Sequence, residues 1–329
     1  MSGSHPDDDT VRAAIALATR APSVHNTQPW QWRAGDRTVH LYADDSRRLH
    51  HADPEGRDQI ISCGAALHHF RIAARSMGWR TIVHRLPNPA DPAHLAAVEF
   101  ARVTPTADFV ELARAINQRH TDRRRVTSWE VPEGHLATLA AAGTEEGAGI
   151  REIVDGDHRS SVLTAFTRAA AQHRGDAGYR TELAVWSGRH AAVDGVPARN
   201  AVPVADDPLT REFAVATQSE AVVRDITEEG SLLLVHTHAD DRRAWLQAGE
   251  AASAVLLAAT VLGLATCPLT EPLELPDTRA LLRSELLGDT GYPQLIVRVG
   301  WAATSAKNVP VTPRRAPADV IAPFDGGTR

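Results

Sequence analysis

The stretch Gly64-Ala-Ala-Leu-His-His-Phe-Arg-Ile-Ala-Ala-Arg-Ser-Met-Gly78 recurs without a gap as Gly249-Glu-Ala-Ala-Ser-Ala-Val-Leu-Leu-Ala-Ala-Thr-Val-Leu-Gly263. The offset is 185 residues throughout, and five of the fifteen positions are identical. Because alanine is common here, the shared design counts for more than the identities: a glycine at each end of a helix that carries an Ala-Ala pair. In the first copy Ile60, Cys63, Leu67, Phe70, Ala74 and Met77 fall at helical spacing and predict a core-facing stripe. The second copy is apolar nearly all round, which predicts the central buried helix. A repeat at this spacing makes the 329 residues two related halves rather than two unrelated domains.

Working outward, the pattern predicts a helix over about 8–19, a strand over 38–42, and a helix over 57–77. Strands near 81–85 and 97–103 follow, and Pro105-Thr106 opens a helix through about Asn117. Pro132 starts another helix ending near Ala142, a strand lies near 150–154, and a helix runs over about 157–173. A helix near 211–224 and a strand over 232–236 lead to the second repeat helix, and 294–299 reads as the last regular element. Strands and helices alternate in both halves, which argues a mixed α/β or α+β fold. Residues 187–208 lack periodicity and carry Gly188, Gly195, Pro197 and Pro203. Loops this long cover a site or are disordered.

Composition removes several kinds of function. The chain is 43% hydrophobic and 23% charged, with net charge −6, pI near 6.2 and mean hydropathy −0.26. No global basic field calls for nucleic acid or an anionic membrane. Of 35 basic residues 34 are arginine, and the one lysine, Lys307, sits in Ser-Ala-Lys-Asn, so a P-loop is excluded. A Schiff-base enzyme would have to use Lys307, which no other feature supports. Cys63 and Cys267 cannot build a disulfide scaffold or a Cys-rich zinc site, and a reducing cytosol is the default compartment. The acidic N-terminus is unlike a signal peptide. The uncharged run Ala251–Thr270 reads as a buried helix leading into a loop, not a membrane span.

Three segments present chemistry. Ala21-Pro-Ser-Val-His-Asn-Thr-Gln-Pro-Trp30 holds Ser23, His25, Asn26 and Gln28 between two φ-restricting prolines; the plainer reading is a helix cap and turn. Arg119-His-Thr-Asp-Arg-Arg-Arg125 offers guanidinium forks and a hydroxyl suited to phosphate, against the plainer reading of a solvated charge run. Pro313-Arg-Arg-Ala-Pro317 is a second anion candidate. His236-x-His238 lacks a third ligand at recognisable spacing, so ordinary histidines are the better reading. Gly-x-Gly-x-x-Gly and Gly-x-Ser-x-Gly are both missing from the sequence. Both cysteines lie beside glycine-bearing apolar helices, where packing is the better reading.

Together these segments resemble the FMN-dependent nitroreductase family. Residues 21–30 meet its Ala-Pro-Ser-x-x-Asn-x-Gln-Pro-Trp motif at every fixed position. Arg119-His120-Thr121-Asp122-Arg123 is similar to Arg-[Arg/His]-Ser-x-[Arg/Lys], with threonine for serine. Gly249–Thr270, Gln294–Trp301 and Arg315-Ala316-Pro317 resemble later family segments. Ile-Ser-Cys-Gly-Ala-Ala-Leu (61–67) and the duplicated length resemble the Acg-like branch of mycobacterial nitroreductases.

The resemblance implies a nitroreductase-like α+β fold whose tandem halves, residues 1–105 and 106–329, form an internal pseudo-dimer; the aperiodic segment 187–208 stands where a lid could arise. It also implies FMN as cofactor, NAD(P)H as reductant and a nitro compound or quinone as the small-molecule acceptor. Family homodimers build each flavin site from both subunits. Here the Pro-Ser-x-x-Asn motif stands only in the first half and the Arg motif only in the second. At the expected counterparts stand Ser4-His-Pro-Asp-Asp-Asp9 and Gly143-Thr-Glu-Glu-Gly-Ala-Gly149. A fused pair with these complementary losses keeps one complete site, so one FMN per chain and a monomer are expected.

By the same resemblance Arg119, Thr121 and Arg315 hold the 5′-phosphate with help from His120. Arg123 meets the pyrimidine edge, where negative charge develops on reduction. Ser23, His25 and Asn26 line the ring from the other half, and backbone groups of Leu269 and Thr270 meet N(5) and O(4). The alternative function is an FMN storage or sequestration protein whose lid closes off the ring.

Overall fold

The computed structural model describes residues 5–35, 37–154, 156–188, 192–203, 207–218 and 230–323. The first half runs α1 (Asp8–Ala18), β1 (Trp30–Ala34), β2 (Val39–Ala43), α2 (Arg57–Ser76), β3 (Trp79–Arg85) and β4 (His94–Arg102). After α3 (Ala107–Gln118) come α4 (Glu133–Glu145), β5 (Gly149–Glu152), α5 (Gly156–Gly175), α6 (Ala177–Val185) and β6 (Ser231–Thr237). Then follow α7 (Arg242–Val261), β7 (Ala265–Leu269), α8 (Pro276–Leu287), β8 (Tyr292–Gly300), α9 (Pro317–Val320) and β9 (Ile321–Pro323).

Local chemistry sets the helix ends. Asp7 accepts from the Thr10 amide at the start of α1, and Asp241 accepts from Ala244 at the start of α7. Just past the last turns of α2 and α7, Gly78 and Gly263 sit at φ +88° and +75°, the left-handed stop that glycine adopts without Cβ strain.

Two sheets result. One has the order β3-β4-β2-β1-β9 and the other β7-β8-β6-β5 read from its far edge. Pairings within each set of four are antiparallel, and α2 and α7 make the equivalent crossovers. The last strand, β9, crosses back from the second half to add in parallel to β1, Trp32 opposite Ile321. One core gathers Trp30, Trp32, Leu41, Leu67 and Phe70 under the first sheet, and another gathers Leu232–Val235, Val255, Phe166 and Ile296 under the second.

Between the cores α2 crosses α7. A Cβ on Gly64 would stand 2.1 Å from the Leu246 carbonyl, and one on Gly249 1.9 Å from that of Ile61. Ile61 and Leu246 are themselves 185 residues apart, as are His68 and Ser253, which share a 2.8 Å hydrogen bond. Equivalent positions therefore touch one another, the signature of an isologous, twofold-like contact.

Several elements differ from expectation. Helix α2 is buried on nearly every face, including Asp58, Gln59, Ser62, His68 and His69, so a single stripe understates it. Residues 211–218 are irregular instead of helical. Their amides serve another segment: Thr217 donates to the Ala198 carbonyl and Gln218 to that of Ala201. The remainder of that expected helix, 219–224, lies outside the described residues. Strand β7 stands where a loop was expected, because Pro268 reads as a breaker yet is tolerated on the edge of a sheet. The strand over 294–299 is not the last element, since α9 and β9 follow it. Strand β1 and helices α6 and α8 also escape the periodicity.

Candidate functional site

The Ala21–Trp30 loop leaves α1 and is strained. His25, Asn26 and Gln28 all take left-handed φ of +46°, +55° and +51°, a conformation costing about 1 kcal/mol or more per non-glycine residue. Tertiary bonds hold it there. Val24 donates to Ser62 Oγ, the Gln28 amide donates to Ser23 Oγ, and the Gln28 side chain donates to the Val193 carbonyl. Asn26 Nδ2 donates to the carbonyls of Gly195 (2.9 Å) and Pro313 (3.3 Å), while its Oδ1 is buried without a partner. His25 Nε2 is likewise buried and unpartnered. Burial, then the nearby Arg211 charge, push the His25 pKa down to about 3, so the ring is neutral.

This loop faces a cleft between the halves with two chambers that share Pro22, Ser23, Thr121 and Arg123 as walls. The larger chamber is about 120 Å³. His25, Asp58 and Ala65 wall it from the first half, and Arg123, Leu269 and Thr270 from the second. Leu209, Arg211 and Phe213 cover it. Arg123 donates to the Asn200 carbonyl at 2.9 Å and lies over the Phe213 ring, whose edge meets His25. Arg211 is clamped by both oxygens of Glu274 and by the Tyr179 hydroxyl, and reaches Thr270 Oγ1 at 3.3 Å. Asp58 is buried in the wall beside Arg57. Burial, opposed by Arg57 and reinforced by Asp53, raises its pKa to about 7.

The smaller chamber is about 50 Å³ and is lined by Arg20, Arg119, His120, Thr121, Arg314 and Asn26, among others. Among the described residues no carboxylate pairs with these three arginines, and Nε of each is buried without a partner. Burial and mutual repulsion lower Arg119 to about 10 and Arg314 to about 9. Burial and the Arg119 charge also lower His120. Arg119 already donates to the Arg20 carbonyl, and Arg314 to those of Arg20, Ala21, Thr312 and Pro313, yet none of these guanidiniums meets a counter-charge among the described residues, which makes the chamber a candidate anion site.

The charge run of residues 119–125 is thus divided. Arg119 enters the anion chamber, Arg123 enters the larger one, and Arg124 is neutralised by Asp122 through bonds of 2.8 and 2.6 Å. Arg315 is not brought to the anion chamber. Its amide donates to Gln28 Oε1, its guanidinium to the Gln28 and Asp319 carbonyls, and Asp44 lies 3.8 Å away. Its neighbour Arg314 lines that chamber. Arg20 was missed as well, although it directly precedes Ala21-Pro22. Arg211 and Phe213 carried no motif.

Both cysteines are buried and free, and burial pushes their thiols up. Among the described residues no three His, Cys, Asp or Glu side chains converge as metal ligands. Helix α7 is long and apolar enough to cross a membrane by length and composition, but it is packed inside the fold.

Much of the sequence that builds the second-half side of this cleft matches a known family. Residues 116–301 match the model of the Nitroreductase family. The chain belongs to that family, and is a nitroreductase-type oxidoreductase. Over 328 residues it is 43% identical to Rv3131 of Mycobacterium tuberculosis, covering 98% of this chain and 93% of the relative. It is 37% identical to Acg of the same organism, covering 93% of each. Both relatives carry the provisional name NAD(P)H nitroreductase. The FMN-dependent nitroreductase NfnB from Mycobacterium smegmatis, solved in complex with NADPH, overlays 64% of this chain and 96% of its own, at TM-score 0.40 and 17% identity.

Proposed function

We propose that the chain binds one FMN in the two-chambered cleft and uses it for electron transfer from NAD(P)H to a small nitro compound or quinone. The supporting observation is the trio of buried Arg119 and half-buried Arg20 and Arg314, with no carboxylate partner among the described residues, next to a chamber walled by both halves. When bound, FMN supplies a ring that takes hydride from NAD(P)H and returns two electrons to the acceptor.

The chain's own residues position and enclose it. Arg20, Arg119 and Arg314 hold the 5′-phosphate, with Thr121 and His120 at the chamber wall. Arg123 places a permanent cation at one edge of the larger chamber, where negative charge is stabilised. Ser23 and His25 line that chamber from the first half, with Asn26 beside them at the smaller chamber, and backbone groups at Leu269 and Thr270 line it from the second. Neutral His25 adds no second charge there.

The reading takes residues 1–105 and 106–329 as halves of an internal pseudo-dimer with a duplicated origin. The matching strand orders and the Gly64–Gly249 crossing support that, and a filled symmetric interface supports a monomer; the two free cysteines fit a reducing, cytoplasmic setting.

A second reading, flavin storage with little turnover, is favoured by the cover. A chamber of about 120 Å³ is smaller than the 150 Å³ cavity that accepts benzene, so a tricyclic ring enters only if Leu209, Arg211 and Phe213 shift. Described residues of the expected lid, Val193, Gly195 and Asn200, hold the Gln28, Asn26 and Arg123 side chains beside it. An absorption spectrum with anaerobic NADPH and NADH titration decides. Rapid bleaching of a yellow protein is the expected result. A bound flavin that ignores both nicotinamides favours storage, and a protein that takes up no FMN defeats both readings.

A further inference from the structure

The 185-residue offset carries the α2, α7 and β7 walls of the larger chamber to equivalent places at the opposite end of the α2–α7 crossing. Charged side chains occupy that end. Where Ala65 lines the first, Glu250 stands at the second, fully buried. Where Leu256 and Thr270 line the first, Arg71 and Arg85 stand at the second. These three side chains meet: Arg71 donates to Glu250 at 2.7 Å, and Arg85 donates to both Glu250 oxygens at 2.7 and 2.9 Å.

The loop follows the same rule. At the first chamber the strained loop reaches α2 where Val24 donates to Ser62 Oγ. At the second, Gly147 approaches Gln247, which is Ser62 displaced by 185; a Cβ there would lie 2.9 Å from the Gln247 amide nitrogen. The neighbouring Glu146 then takes Arg71 as its partner.

We infer that the cluster Arg71, Arg85, Glu146 and Glu250 is a plug: it fills the symmetry-equivalent counterpart of the ring chamber and closes a latent second site for a planar aromatic ligand. The inference deepens the single-flavin reading and rests on it for the kind of ligand excluded. Two cations and two anions cancel, so the space is filled without leaving a buried charge unpaired. Small and apolar wall residues would leave it open, as they do at the other end. A plug of this kind also explains why the loss of the motif at 143–149 is tolerated: the vacated wall is replaced by side chains instead of a void, and a void costs stability in proportion to its volume.

The test transplants the open end's residues into the plugged one, as R71L, R85T and E250A together, with FMN first bound to saturation. Lumiflavin, a ring with no phosphate, is the probe. The wild-type chain is expected to take no lumiflavin beyond its bound FMN, and the triple variant one more ring per chain. The crystal structure of the variant, with or without probe, is expected to show a new cavity bounded by positions 71, 85, 146 and 250. If the triple variant does not fold, the pair R71L and E250A leaves the partly exposed Arg85 free to turn to solvent and gives the same readouts. A folded variant in which that space stays closed overturns the plug. Wild-type protein holding two flavins overturns both the plug and the single-site reading. A chain that binds no flavin overturns only the functional reading, and the cavity in the variant still decides the plug.

Discussion

Arg119 and Arg314 share a chamber with Arg20 and, among the described residues, meet no counter-charge; burial and mutual repulsion lower the pKa of both. Arg119→Ala and Arg314→Ala should each weaken FMN binding by about 10- to 100-fold, the range of a charge-assisted bond worth about 1.5–3 kcal/mol. Riboflavin, which lacks the phosphate, should bind both variants as it binds wild type. Arg315→Ala should change FMN affinity by less than about 3-fold. Titrations in which Arg315 outweighs Arg314 would move the phosphate out of this chamber. The run at 313–317 shows what was legible at this scale. Two adjacent arginines in an anion-binding context could be found, but which one turns inward depends on how Asp44, Asp319 and Gln28 capture Arg315 from other elements.

At the scale of elements, the α2–α7 crossing is the joint on which both halves depend. Gly64→Ala or Gly249→Ala drives a methyl into a partner backbone oxygen, with no flexible side chain to yield. Each should destabilise by about 3 kcal/mol or more, read from urea midpoints; a loss under about 1 kcal/mol would mean that the helices do not meet there. The cover over the larger chamber is pinned through Arg211 to Glu274, itself deep in the wall. Arg211→Ala should therefore speed exchange of bound FMN by about 10-fold, measured by displacement with excess riboflavin. Unchanged exchange would show that the cover does not limit passage. The repeat helices could be seen in the sequence because their periodicity is carried by each segment alone. The cover could not, because residues 207–218 have no period and are held by contacts with 179, 198, 201, 274 and 298.

For the whole molecule, buried histidines should set the response to acid. His25 and His68 stay neutral in the fold, with pKa values near 3 and 4, and His40 is lowered to about 4. Unfolded, each takes a proton below about pH 6.5. Stability is therefore present above that pH and lost as pH falls toward 4. Asp58 works the other way: its folded pKa of about 7 exceeds its unfolded value, so it favours the fold as pH drops below 7. With histidines in the majority, stability should fall by on the order of 1 kcal/mol per pH unit between pH 6 and 4.5. Melting midpoints that are flat or rise across that interval would contradict it. Light scattering should return 35.5 kDa in solution, because the symmetric interface is used within the chain; a stable dimer would count against an internal pseudo-dimer.

The sequence by itself determined the repeat, the α+β class, the two motifs that carry the family resemblance, and their distribution over opposite halves. Each of these is written in neighbouring residues, through helical periodicity, glycine and proline placement, or a contiguous motif. Only the tertiary structure decided that Gly64 meets Gly249, that Arg314 and Arg20 join Arg119 while Arg315 turns away, and that Arg211 and Phe213 cover the larger chamber. It alone set Glu250 between Arg71 and Arg85. The physical reason is common to all of these. Whether a charged side chain is an anion ligand, a counter-ion or a plug depends on which distant groups share its low-dielectric surroundings, and spacing along the chain does not record that.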